Sequence, residues 1–169
     1  MELSKKERLT LINQYLILEK LYPEDAKYYG DLRIALENGF TKHYPDIFRG
    51  MSEELSVEEC QEVIEILKMH RALNWSYDNL EEKAGIDKEE LKFSGYDLND
   101  VLEAQYADYA KYYMHNLNLF TDLRAENEYE TYNSHRLMLN RYRRMLEVWH
   151  LTEDPDKLKA QEIKDIINA

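Results

Sequence analysis

One cysteine, three prolines and five glycines are all that this 169-residue sequence holds of the residues that cross-link or interrupt a chain. The lone Cys60 excludes an internal disulfide and a zinc site built from several cysteines, and it fits a reducing cytoplasm. It lies in an apolar stripe among Glu58, Glu59 and Glu62, the opposite of the electropositive setting that a nucleophilic cysteine needs. Apolar runs are short too. The longest uncharged ones, Leu9–Leu18 and Tyr112–Thr121, are ten residues each, against roughly 20 needed to span a membrane. No secretory leader is expected, no membrane partner, and a cytoplasmic location follows. Basic residues are also few: 22 against 34 acidic ones give a net charge of −12. That balance disfavours nucleic acid and anionic lipid as partners. Phenylalanine is scarce, 4 against 14 tyrosines, which favours aromatic edges that stay wet, at an interface or a cleft.

The expected fold is all-α: a single domain over residues 1–169, a bundle of about six helices with at most a short extended segment near 91–96. Ser4 with Glu7, and Ser56 with Glu59, have the spacing of capping boxes. They open a first helix running to about Lys20 and a third running to about Asn74, with a break near Trp75-Ser76. Pro23 suits the first turn of a second helix, and Asn38-Gly39 its left-handed exit. Gly30 inside it marks a kink or close packing. Asp97 and Asp100 are set to cap a helix from Leu98 to about His115. Thr121–Asn133 reads as a solvated loop or fraying helix. A long helix over about Ser134–Leu151 and a terminal one over about Ala160–Asn168 complete the chain.

Polar residues on apolar helix faces are the candidate site. The first helix carries no charge between Leu9 and Leu18, so it belongs at the centre of a bundle or in a contact between subunits. There the Asn13 and Gln14 amides need partners. His70 and Asn74 end an apolar stripe on the third helix, and His135 begins one that continues through Met138, Tyr142, Met145 and Trp149. Asn13, Gln14, His70, Asp97 and His135 are therefore the candidate ligand-binding residues. Packing and satisfied hydrogen bonds are the plainer explanation for each.

Other chemistries have less support. Glu147 and His150 have the spacing of a di-iron ligand pair, but that site needs a second such pair, which is missing, so no metal is expected. Phosphate-binding and dinucleotide glycine motifs are absent, as are the common hydrolase signatures, and no cofactor is expected. Arg136, Arg143 and Arg144, with Arg141, form the only basic concentration and a candidate anion-binding set. Pairing of these arginines with nearby acids is the competing explanation.

Arg8-Leu9, Asn13-Gln14-Tyr15, Gly39-Phe40, Phe93-Ser94-Gly95-Tyr96-Asp97, Asn133-Ser134-His135, Met138-Leu139, Tyr142, Arg144-Met145-Leu146 and Trp149 follow one another in an order that resembles the YfbU family of uncharacterised proteins. The resemblance implies a mostly helical bacterial cytoplasmic domain and no established reaction. Leu137 stands where a proline often precedes the Met-Leu pair, and Lys159 where Ser or Thr would cap the last helix.

These readings combine into an expectation of a non-enzymatic small-ligand-binding or protein-interaction domain that forms homo-oligomers. An enzyme using His135 or His70 as general base, oriented by Asp97, is the alternative. A regulatory protein touching nucleic acid through its arginine helix ranks last.

Overall fold

The computed structural model describes residues 2–83, 85–124 and 132–169. Seven α-helices and no β-strand occur among them: α1 (Lys5–Leu21), α2 (Ala26–Asn38), α3 (Tyr44–Ile47), α4 (Val57–Asp78), α5 (Val101–Lys111), α6 (Leu139–Trp149) and α7 (Ala160–Ile167). The all-α class is as expected, and the additional helix is the single turn α3 in the His43-Tyr44-Pro45 region. Where one core was expected, the buried apolar residues gather in two clusters. The chain divides accordingly into two compact units, one up to Glu53 and the other from Glu54.

In the first unit, α1 and α2 pack as a hairpin around Tyr15, Leu32, Leu36 and Tyr44. Both ends of the hairpin are specified locally. Ser4 Oγ accepts the Glu7 N–H, and the Ser4 N–H donates to Glu7 Oε2 at 2.8 Å, which satisfies two donors at the start of α1. Gly39, at φ +70°, ends α2 in the left-handed conformation that glycine adopts without penalty. The guanidinium of Arg8 then reaches from α1 to the carbonyls of Leu36 and Glu37, where a cation meets the negative end of the helix. A Cβ added at Gly30 would meet the Glu19 side chain at 3.7 Å, an ordinary van der Waals contact, so the expected close packing does not account for this glycine.

In the second unit, α4 supplies the central face, Val63, Ile66, Leu67, His70 and Leu73. Tyr106, Ala107 and Ala110 of α5, Tyr142, Met145 and Trp149 of α6, and Ile163 and Ile166 of α7 pack with it in one core. Its Ser56–Glu59 capping box forms as expected. The expected break at Trp75-Ser76 does not occur. Ser76 is buried with its hydroxyl accepting the Leu158 N–H at 2.9 Å, so the polar side chain is satisfied by a neighbour and α4 continues to Asp78.

Three other helix limits differ from expectation. The α5 helix begins at Val101, because Asp100 Oδ1 takes the N–H groups of Leu102 and Glu103. It ends at Lys111 in a π turn, Tyr112–Asn116, closed by the Leu117 N–H on the Tyr112 carbonyl. The α6 helix begins at Leu139 and not at Ser134, since His135 has φ +54°, which no right-handed helix accommodates. At α7 the missing N-cap is replaced from within: Glu162 Oε2 accepts the Lys159 N–H at 2.7 Å. Much of the polar stretch Thr121–Asn133 lies outside the described residues.

Candidate functional site

Two loops meet beside α5 in the second unit. Tyr96 donates its N–H to the Tyr132 carbonyl at 2.8 Å and accepts the Ser134 N–H at 2.9 Å, forming one parallel β-bridge, Tyr96↔Asn133. Gly95 makes this approach possible. At φ +79° it lies so close to Tyr132 that a Cβ there would overlap the Tyr132 carbonyl. Tyr132 and His135 both adopt left-handed backbone, φ +52° and +54°, a conformation that costs non-glycine residues free energy and persists only where surrounding bonds enforce it.

Glu103 fastens the same junction from α5. Its side chain is 3% exposed, yet both oxygens are occupied. Oε1 accepts the N–H groups of Met138 at 2.9 Å and Leu139 at 2.7 Å, and Oε2 accepts those of Asp97 at 2.8 Å and Met138 at 3.1 Å. An anion at the free donors of a helix start is favoured by hydrogen bonding and by the helix dipole. Glu103 thus fixes where α6 begins and ties the two loops together. Sequence reasoning missed it, although a signal was present: Glu103, Tyr106, Ala107 and Ala110 share one face of α5 and are all buried, which makes an acid part of an apolar stripe.

Of the expected ligand-binding residues, Asp97 and His135 come together on this junction. Asp97 Oδ1 accepts the backbone and side-chain N–H of Asn99, at 2.9 and 2.8 Å. These bonds, with a smaller contribution from the nearby His135 ring, hold its carboxyl below the usual value. Asn133 Oδ1 accepts the His135 N–H at 3.0 Å, and His135 is exposed.

His70 does not join them at the surface. It is 1% exposed, with its Nδ1 2.9 Å from the Leu91 carbonyl, which also accepts from Asn74 Nδ2 at 3.1 Å. The two polar residues ending the apolar stripe therefore anchor the turn at Leu91 to α4. The His70 ring meets Tyr142 and Phe93 edge-on at 5.2 and 5.5 Å, and Tyr142 donates its hydroxyl to the Gly95 carbonyl at 3.0 Å. The Nε2 of His70 and the hydroxyl of Tyr96 are buried without a hydrogen-bond partner among the described residues. Burial pushes the His70 imidazole down to about 4, so it is neutral near pH 7. Asn13 and Gln14 are in the other unit, exposed on α1.

The arginines are drawn to different partners. Arg143 makes a bidentate pair with Glu62, 2.7 and 2.8 Å, and the Tyr106 hydroxyl donates to the same carboxylate at 2.7 Å. Arg144 turns back to the Asn140 carbonyl, and Arg141 reaches the Ile167 carbonyl. Arg136 is exposed in the turn before α6. His150 faces Glu65 at 3.7 Å. Among the described residues no group of three or more His, Cys, Asp or Glu side chains is arranged to hold a metal ion. No helix among them is long and apolar enough to cross a membrane.

The family model described as the YfbU domain matches residues 1–169. The chain belongs to the YfbU family, and the match spans both compact units.

Proposed function

We propose that the chain is a cytoplasmic, non-catalytic interaction domain that associates with a second copy of itself through the exposed side of α1. The observation that carries this reading is the composition of that side. Leu9, Leu16, Ile17 and Leu21 are exposed by 58%, 44%, 58% and 64%. With Thr10, Asn13 and Gln14 they occupy an arc of roughly 160° at 100° per residue, which holds no charged residue from Leu9 to Leu18 and carries the exposed Lys6 and Lys20 toward its two ends. Four large apolar side chains exposed on one side of a helix are uncommon on a surface without a partner.

Charge selects the partner. Two chains of −12 each repel, and close approach requires a face without like charge, which α1 offers. A two-fold contact places the same residues on both sides, and the Asn13 and Gln14 amides, each both donor and acceptor, can pair with their own copies. Nucleic acid is disfavoured by the same net charge and by the engagement of Arg143 with Glu62.

Sedimentation of the full chain over a range of concentrations tests the reading. The wild type is expected to form a concentration-dependent oligomer. Ile17→Glu is expected to be a monomer at the same concentrations with an unchanged helical spectrum, because the residue is exposed. A monomeric wild type, or an oligomer that persists in the variant, overturns it. A second reading, an enzyme with His135 as general base and Asp97 as its orienter, draws on the position of both residues at the loop junction. It requires a turnover that His135→Ala abolishes and Asp97→Asn reduces.

A further inference from the structure

The first unit contains a cleft unrelated to the α1 surface. It measures about 280 Å³ and lies between α2 and the turn entering α3, lined by Asp31, Leu32, Ile34, Ala35, Phe40, His43 and Asp46. Buried Leu32 and Ala35 belong to its apolar lining, as do the partly exposed Ile34 and Phe40, at 44% and 52%. Two carboxylates and an imidazole complete it, and no lysine or arginine lines it.

This lining defines the guest. Pockets for drug-sized ligands run from about 300 to 1,000 Å³, so a space just below that range fits something the size of one side chain. Hydrocarbon suits the floor, positive charge suits Asp31 and Asp46, and a cation can also rest on the Phe40 ring. Both carboxylates already have cationic neighbours. Lys27 Nζ is 2.7 Å from Asp31, and Arg49 Nη2 is 2.6 Å from Asp46, with His43 Nδ1 at 3.5 Å. The Lys27 and Arg49 side chains are 88% and 78% exposed, and pairs so placed are held weakly. A guest that also buries a hydrocarbon stem has a contribution that these exposed pairs lack.

We propose that this cleft binds an organic cation on a short apolar stem, a guanidinium or ammonium group carried on three or four carbons. Such a group occurs in free alkyl amines and on the arginine or lysine side chains of a partner protein. The proposal does not depend on self-association through α1.

Amide chemical shifts of the full chain, followed during titration, give the test. The probes are agmatine for the free amine, N-acetyl-arginine methylamide for the side chain, and N-butylurea as a neutral control. Saturable shifts are expected at Ala35, Phe40 and His43 for at least one cationic probe, with a Kd on the order of 1 mM, and none for the urea. Tighter binding of agmatine assigns the cleft to free amines. Equal or tighter binding of the blocked arginine assigns it to a partner's side chain. Asp46→Asn is expected to weaken binding about threefold to fivefold, and Asp31→Asn combined with Asp46→Asn to remove saturation while the spectrum stays folded. No saturable shift with either cation, an equal response to the urea, or unchanged binding in the double variant overturns the proposal.

Discussion

Glu103 Oε1 and the Leu139 amide nitrogen lie 2.7 Å apart although 36 residues separate them in the chain. Through this contact the last long helix takes its starting point from a side chain on α5. Four N–H contacts converge on one carboxylate from Asp97, Met138 and Leu139, so the junction of the two loops depends on a single buried acid.

Glu103→Gln is expected to destabilise the chain by about 2–4 kcal/mol in urea denaturation. An amide can accept at only one of the two positions and turns an N–H toward the N–H of Asp97, and a buried donor left unpaired costs about 1–3 kcal/mol. Glu103→Asp, which retains charge but shortens the reach, is expected to lose less than Glu103→Ala. Equal stability of the Gln variant and wild type would show that the carboxylate is dispensable.

Gly95 and Gly85 both have positive φ, +79° and +69°, but among the described residues only Gly95 of the two has another segment, that of Tyr132, within 4 Å of the place an added methyl group would take. Gly85→Ala is therefore expected to cost about 1 kcal/mol, the left-handed penalty alone. Gly95→Ala is expected to cost about 3 kcal/mol or more, since the Tyr132 backbone must also move. Thermal or urea unfolding of the pair isolates the close approach, and similar losses at both positions would contradict it.

His70 makes stability fall in mild acid. Its folded-state value, pushed down to about 4 by burial, lies below the unfolded value of about 6.5, so the unfolded chain binds the proton first. The stability of the neutral, buried ring is complete above about pH 6.5 and is lost as pH falls through 4. A gap of about 2.5 pH units at about 1.4 kcal/mol each comes to roughly 3 kcal/mol. His70→Phe keeps the ring in place, and Asn74 still donates to the Leu91 carbonyl. Between pH 7 and 4.5 the variant is expected to gain about 2.5 kcal/mol relative to wild type in chemical denaturation. Burial lowers His115 as well, but that group is common to both proteins and cancels. Parallel stability curves would rule out the neutral buried imidazole.

Local signals in the sequence were readable because both partners lie within one helical turn. Ser4 with Glu7, Ser56 with Glu59, and Gly39 after Asn38 each act within three or four residues. What escaped was set by distant groups. The start of α6 depends on Glu103, and the continuity of α4 past Ser76 depends on Leu158. The candidate site was legible in part. Asp97 and His135 lie on one junction because Tyr96 and Asn133 bridge, whereas Asn13 and Gln14 lie in the other unit. A face reveals that something covers it and leaves open which group does so.

The acid enclosed at the loop junction has a further consequence for behaviour in concentrated electrolyte. Dissolved ions weaken attraction between exposed charges over a Debye length of about 3 Å at 1 M, so pairs such as Lys27–Asp31 and Lys159–Glu153 fade in brine. Peptide donors shielded from solvent gather no ionic atmosphere, and the clasp between residues 97 and 138 is built from them. As salinity rises, the periphery loosens while this fastening keeps its grip.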